Sequence, residues 1–286
     1  MCFFNSGGLF MNIQVIGLVR FAYISKNGFR QKYKTQAEAR EALFAPERME
    51  FRLRMLEEIC IRSMRNQTDQ DFRLIVLVSL SLPTVYLKRV EAIIAPLEGA
   101  VLLMEPRQWM KQVTQSCFRR FVAPDAEYVI NFRLDDDDAL AVDYIEKLRH
   151  TGSELIRQGR AGEPTVIAHS RGIYWALHLQ EDGLRIRTEK KPLGLACAMI
   201  TSPDIPANVF YWNHRELGKY FTLVMIPGKV MFLRSLHGYG DSGRQVPNWG
   251  HALAKAEMEA ILARRFGFKI NDLTCGWSLE NRGDEA

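Results

Sequence analysis

Short apolar runs alternate with stretches of helical spacing over the first half of the chain. Residues 13–19, 72–78, 100–104 and 128–134 are apolar and rich in β-branched side chains, and predict four strands. Between the first two, Met49, Leu53, Leu56 and Cys60 recur at spacings of 4, 3 and 4. That spacing puts them on one face of a helix that Pro46 opens and that ends near Asn66. Further helices are predicted over 83–94, 109–121 and 142–155, and residues 20–45 read as a long polar loop containing a short helix. Strand and helix in alternation predict an α/β fold, a mostly parallel sheet with helices on both faces. After residue 160 the rhythm shortens. Residues 165–169, 173–177, 184–187, 195–200 and 225–236 predict shorter strands, the last interrupted by Pro227 and Gly228, and a final helix covers 251–265. The boundaries that follow are an extension over 1–11, one half over 12–160, a second half of the same domain over 161–270, and a frayed tail over 271–286.

Composition narrows the class. The chain has 286 residues, 47% hydrophobic and 25% charged, which suits a globular domain and excludes disorder, collagen and coiled coil. Five cysteines with no Cys-x-x-Cys exclude a disulfide scaffold and a zinc knuckle, and suit a reducing compartment. No apolar run approaches the roughly 18 residues of a membrane span, and residues 1–10 lack the basic start of a signal peptide. A cytoplasmic location is expected. Charge is unevenly placed: residues 20–65 hold 11 Lys and Arg against 6 Glu, an excess of five that equals the net +5 of the whole chain. No familiar nucleic-acid-binding motif accompanies these cations, so a nucleic-acid partner is not expected. A surface facing phosphates, of a nucleotide or of anionic lipid at the inner face of a membrane, is.

The densest chemistry is Asp135, Asp136, Asp137 and Asp138, four adjacent carboxylates between a buried strand and a helix. Open α/β sheets bind ligands at the carboxyl ends of their strands. Carboxylate oxygens suit Mg²⁺ or Mn²⁺, which bring substrate phosphates with them, and an Asp-x-Asp turn aims two carboxylates at one ion. The alternative is an acidic solvated turn, which the flanking strand and helix argue against.

The segment Gln67-Thr68-Asp69-Gln70-Asp71-Phe72 leading into 73–77 resembles the helix-to-strand junction of inverting, family-two-type glycosyltransferases. Residues 128–140 followed by Asp143-Tyr144-Ile145 resemble their strand and Asp-x-Asp-Asp turn. Order and spacing are those of a GT-A nucleotide-sugar-binding domain. Arg133 to Asp138, with Leu236-His237-Gly238 and Asp241-Ser242, resemble more narrowly the rhamnosyltransferase family of bacteria, over about residues 12 to 270. The resemblance implies a GT-A-like, Rossmann-like sheet with a mixed, acceptor-side C-terminal region. It implies metal-dependent, inverting transfer of a sugar, rhamnose in the narrower reading, from a nucleotide-diphosphate donor such as dTDP-rhamnose to a glycan or lipid-linked hydroxyl. The implied metal ligands are Asp135, Asp137, Asp138 and His237, with His214 and His251 as weaker choices. Asp135 is also expected toward the ribose and Asp136 at the nucleotide, and Arg48, Arg52 and Arg133 are the implied candidates for a diphosphate clamp. One departure stands out: where such enzymes carry an acidic residue after the second strand, this chain reads Val78-Ser79-Leu80-Ser81. Ser79 and Arg20 are the candidate substitutes at the base or phosphate. Asp204, Glu216 and Asp241 are candidates for the general base, and Trp175, Tyr211 and Trp212 for stacking on a sugar face. Nucleotidyl transfer is the nearest alternative, but Gly17-Leu18-Val19-Arg20 carries no Gly-rich phosphate loop. A non-catalytic carbohydrate-binding protein is the other, against which the intact aspartate run stands.

Overall fold

In the computed structural model, which describes residues 11–27, 33, 35–240 and 250–277, β1 (Ile13–Arg20) lies between β2 (Arg73–Ser79) and β4 (Tyr128–Asp135) and runs parallel to both. Leu74 to Val78 of β2 are fully buried, as expected of a parallel strand covered on both faces. β3 (Ala100–Glu105) extends the sheet on one side. On the other lie β9 (Cys197–Thr201), β6 (Thr165–His169) and β10 (Thr222–Ile226), giving seven strands in the order β10-β6-β9-β4-β1-β2-β3. β9 runs antiparallel to both its neighbours; the other pairings are parallel. The mostly parallel α/β sheet read from the sequence is therefore the one that forms.

The helices follow the predicted spacing. α1 (Gln36–Leu43) is capped by the Thr35 hydroxyl, and α2 (Pro46–Met55) continues through a π-turn at Leu56–Ile61 into α3 (Arg62–Arg65). Met49, Leu53, Leu56 and Cys60 are all buried on its inner face. α4 (Thr84–Ile94), α5 (Met110–Arg120) and α6 (Tyr144–Arg157) complete the first half. No helix among the described residues is long and apolar enough to cross a membrane.

Two expectations are corrected. Residues 225–236 do not form one interrupted strand. β10 joins the large sheet, while β11 (Phe232–Leu236), beyond Gly228 at φ +102°, enters a second sheet with β5 (Ala139–Leu140), β7 (Arg171–Ala176) and β8 (Leu184–Thr188). Antiparallel pairing of Phe232 with Leu140 then draws the end of β11 back over the aspartate turn. Nor is the whole tail frayed. α7 (Lys255–Phe266) is followed by α8 (Ile270–Thr274), and Trp277 is buried against Trp175 and Phe51, at ring separations of 5.5 and 5.9 Å, with the Arg54 guanidinium 4.0 Å above it. A single tryptophan after a short helix carries no periodicity, so no pattern in the chain reveals its anchoring. Residues 278–286 lie outside the described residues.

Gly17 shows how closely β1 and β4 approach. It is registered against Phe132, and a Cβ on it would fall 2.2 Å from that ring. Phe132 is fully buried and has nowhere to go. Gly17→Ala is expected to cost about 1–3 kcal/mol, read as a lower midpoint in urea; an unchanged midpoint would mean the ring repacks freely.

A second expectation concerns acid. Burial pulls the His169 pKa down to about 4, and its Nε2 has no hydrogen-bond partner among the described residues. Below pH ~6.5 the unfolded chain takes up a proton that the folded chain refuses, so stability falls as pH drops from there toward 4, by on the order of 3 kcal/mol from this group. His169→Phe, which keeps the ring packing on Tyr144, should flatten that limb of the stability curve.

Candidate active site

Two central strands of the sheet end together. Register pairs Arg20, the last residue of β1, with Asp135, the last of β4, and the chain then turns sharply, closed by the Asp138 N–H donating to the Asp135 carbonyl at 3.2 Å. Each carboxylate of the turn meets different partners.

Asp135 is the most exposed of the four and lies 3.6 Å from both the Arg20 and the Arg133 guanidinium. Those two guanidiniums also sit over the Phe210 ring, at 5.9 and 4.7 Å. Gly194 makes room for Arg133, since a Cβ there would lie 2.9 Å from the guanidinium carbon. The Nε of Arg20 and of Arg133 are buried without a hydrogen-bond partner among the described residues. Ala22, just past Arg20, is held at φ +48°, a left-handed conformation that alanine rarely adopts.

Asp136 and Asp137 share one cation. Arg52 of α2 donates through Nε to Asp136 at 3.0 Å and through its NH2 nitrogen to the other oxygen of the same carboxylate, while its NH1 nitrogen reaches Asp137 Oδ2 at 2.5 Å. The same Asp137 oxygen lies 2.8 Å from His237 Nε2. The Tyr239 N–H donates to His237 Nδ1 at 3.2 Å, which leaves the ring proton on Nε2, facing Asp137. Burial alone would raise the pKa of Asp137, but Arg52 and His237 outweigh it and hold the group well below the ordinary carboxylate range. Asp136 is pushed the other way, to about 6, by burial and by the charge of Asp137. Asp138 turns inward: Oδ1 accepts the Ser235 N–H of β11 at 2.8 Å, and burial beside Asp137 and Asp135 raises its pKa well above the usual value.

Two adjoining cavities open on this turn. The narrow one, about 100 Å³, lies over the four aspartates, Arg48, Arg52, His237 and Gly240. The wide one, about 700 Å³, is walled by Arg20, Lys111, Arg133, His214, Arg215 and Arg234, with Phe210, Tyr211 and Trp212. Arg20, Asp135, Asp138 and Arg234 border both.

Most of the residues expected at the site converge here, but in altered roles. Arg20 and Arg133 face the wide cavity. Arg52 is not free for a diphosphate clamp, because two buried carboxylates occupy it, and Arg48 spends an N–H on the Leu43 carbonyl at 2.8 Å. Only Asp137 and His237 of the four expected metal ligands present their polar atoms to one another; Asp138 faces Ser235 and Asp135 faces the two arginines. Among the described residues no group of three His, Cys, Asp or Glu converges as a ready metal site. The pair that does converge, a hard oxygen and an imidazole nitrogen, is chemically suited to Mn²⁺ or a similar ion once His237 Nε2 gives up its proton.

The expected bases fare worse. Asp204 lies on a separate cavity, hydrogen-bonded to the Ser202 hydroxyl. Glu216 accepts from Lys219 at 2.7 Å at the surface. Both sit on the connection between β9 and β10, whose path no local pattern reveals. Asp241 lies outside the described residues. Ser79 is buried, with its hydroxyl 3.0 Å from that of Ser81, and borders neither cavity. Trp175 is a core residue, fully buried, whereas Tyr211 and Trp212 do line the wide cavity. His251 instead bridges β8, exchanging backbone hydrogen bonds with Ile186.

The basic segment 20–65 also divides. Arg20, Arg48 and Arg52 face the site, but Arg54 stacks on Trp277 and Arg62 on Phe268, away from it. Cations from later in the chain, Lys111, Arg133, Arg215 and Arg234, replace them. Arg234 had a signal in the sequence, being the one charged residue inside the mostly apolar strand 232–236. Lys111 and Arg215 had none, and His214 was expected only as a weaker choice of metal ligand. His214 is half-buried among Arg133, Asp135, Arg215 and Arg234, and burial together with Arg133 pulls its pKa down to about 3, so the ring is neutral.

Comparison with solved structures finds distant likenesses. S. aureus TarS 1-349 in complex with UDP-GlcNAc matches with 10% identity and a TM-score of 0.42, over 78% of this chain and 58% of that one. Rv0371C in complex with manganese, from Mycobacterium tuberculosis H37Rv, matches with 14% identity and a TM-score of 0.32, over 77% and 92%. The 4-diphosphocytidyl-2C-methyl-D-erythritol synthase of Anaerococcus prevotii DSM 20548 matches with 9% identity and a TM-score of 0.38, over 76% and 88%. The chain thus spans little more than half of the TarS fragment, and none of these likenesses assigns a residue. No curated protein matches the chain. A sequence family, by contrast, matches over residues 14–248, from β1 through the aspartate turn and past His237, and by that match the chain belongs to the family described as "Putative rhamnosyl transferase".

Proposed function

We propose that this chain is a glycosyltransferase that moves a sugar, rhamnose by the family description, from a nucleotide-diphosphate donor to a hydroxyl acceptor with inversion. The observation that carries this reading is the wide cavity at the carboxyl ends of β1 and β4, where Arg20 and Arg133 flank Asp135 with buried, unspent Nε donors. A diphosphate oxygen in the cavity accepts charge-assisted bonds from these guanidiniums, and reaches the buried Nε donors once the wall shifts. The same wall, with Lys111 and Arg234, offsets the charge that grows on the leaving diphosphate. Asp135 accepts from a ribose hydroxyl. Tyr211 and Trp212 offer apolar faces to a sugar. A divalent cation, when bound, would be held by Asp137 and His237 and would supply further counter-charge.

A single displacement needs one proton acceptor near the incoming hydroxyl. His214 suits that role, as a neutral imidazole on the wall of the wide cavity. Its affinity for a proton rises once diphosphate offsets the arginines around it. His214→Gln is expected to lower transfer by about 10²–10⁴-fold and to leave nucleoside diphosphate binding intact; equal transfer by the variant would remove His214 from the reaction.

The test of the whole reading is thermal unfolding with thymidine, uridine and guanosine diphosphates, with and without Mn²⁺, followed by donor turnover with dTDP-rhamnose. A raised midpoint with at least one nucleoside diphosphate, lowered about ten-fold in apparent affinity by Arg133→Ala, supports it. No shift with any of them would sink it, and no shift with thymidine nucleotides alone would sink the dTDP-rhamnose donor.

A further inference from the structure

Resting on that reading, we propose that Arg52 closes the aspartate turn to a free divalent cation, so that the cation enters only in company with the donor's diphosphate.

Arg52 stands where a cation would. Its buried guanidinium joins two adjacent carboxylates, chelating Asp136 through Nε and the NH2 nitrogen and holding Asp137 Oδ2 through NH1. The Asp137 oxygen that opens on the narrow cavity receives a second donor from His237. Both donors have to yield before a cation binds that oxygen. They also crowd one another, with His237 Nε2 only 3.5 Å from the Arg52 NH1 nitrogen, so the two donors compete for one oxygen.

Charge acts in the same direction. Arg20 and Arg133 bracket Asp135, Arg52 bridges Asp136 and Asp137, Arg48 adds its charge to that pair, and Arg234 lies beside Asp138. Five guanidiniums therefore surround four carboxylates. A free divalent ion approaching this turn meets no net negative charge to draw it in. A cation already bound to a diphosphate has lost its net positive charge. Its phosphate oxygens also offer the arginines a replacement for the carboxylates they give up. Gly240 keeps the approach open, for a Cβ on it would lie 3.3 Å from the His237 ring and 3.7 Å from Asp137 Oδ2. Arg52 is thus a positioning residue that acts through Asp137. A lysine is a poor substitute, since a single ammonium cannot bridge two carboxylates as a planar fork does.

The experiment measures Mn²⁺ retained with the protein in equilibrium dialysis, read by its EPR signal, for wild type, Arg52→Gln and Arg52→Lys. Each is measured alone and with the nucleoside diphosphate that binds best, and nucleotide binding in EDTA is followed separately. Wild type is expected to hold Mn²⁺ alone at least about ten-fold more weakly than with the nucleotide, a coupling of ordinary size. Arg52→Gln is expected to hold Mn²⁺ alone about ten-fold more tightly than wild type, and to show little further gain with nucleotide. Should the glutamine variant fail to fold, Arg52→Lys, which keeps the charge but not the bridge, must show the same change in smaller measure. Wild type that binds Mn²⁺ equally with and without nucleotide, or folded variants that bind it no more tightly, overturns the proposal while nucleotide binding in EDTA leaves the transferase reading standing. Absence of nucleotide binding under every condition overturns that reading itself.

Discussion

Asp137→Asn is expected to lower sugar transfer by about 10²–10³-fold, the usual cost of removing one preorganised electrostatic contact at a reacting centre. The substitution keeps shape and removes charge. Asp137 is held ionised across the working pH range by Arg52 and His237, despite its burial, so the loss should be the same from pH 6 to 8 and should not follow a titration curve. The asparagine also leaves Arg52 with one carboxylate in place of two, a modest further strain on the fold that the Asp136 chelate limits. Initial rates of donor consumption, set beside nucleoside diphosphate binding, measure the effect. An Asp137→Asn enzyme with full activity would take this carboxylate out of the chemistry, and with it the convergent Asp137–His237 pair.

Arg52→Ala is expected to cost about 3–5 kcal/mol of stability, the penalty for leaving buried carboxylates without their partner. That is a large part of the 5–15 kcal/mol that holds a typical domain together. The pH dependence should also steepen. Without the guanidinium, burial raises Asp136 further and lifts Asp137 toward or above the unfolded pKa near 3.9. Such groups weaken the fold as pH rises, because the unfolded chain releases protons that the folded chain keeps. The variant should therefore gain stability as pH is lowered from 8 toward 5. In that range wild type gains less, because only Asp136 and Asp138 are raised in it, and His169 and His214 oppose that gain as they come under acid stress. Urea unfolding at a series of pH values separates the two behaviours; parallel curves would show that Arg52 contributes packing and little charge compensation.

The four predicted strands of the first half differ from the observed ones by about one residue at either end, and the face formed by Met49, Leu53, Leu56 and Cys60 is buried as its spacing required. These features were legible because strand and helix each impose a period on neighbouring side chains. The aspartate turn was legible for a similar reason, as four like charges at the end of an apolar run require a special surrounding. What surrounds them was legible only in part. Arg20 and Arg133 lie on the same two strands as the turn, and their place followed once those strands paired. Arg52 stood out as a candidate but for the wrong role, since nothing local shows that a helical arginine points into a turn 84 residues away. The expected bases Asp204 and Glu216 failed because they lie on an irregular connection, where residue type gives no direction in space.

By itself, then, the sequence determined the alternation of elements, the buried face of each, and the position of the carboxylates at a strand's end, because these depend on backbone periodicity and on residues close in the chain. The tertiary structure alone decided which cations face those carboxylates. It parted residues 222–236 between two sheets, and so brought His237 onto Asp137 across 100 residues and Ser235 onto Asp138. An ion pair between distant residues is formed only when the core on either side has packed, and no period in the chain encodes it.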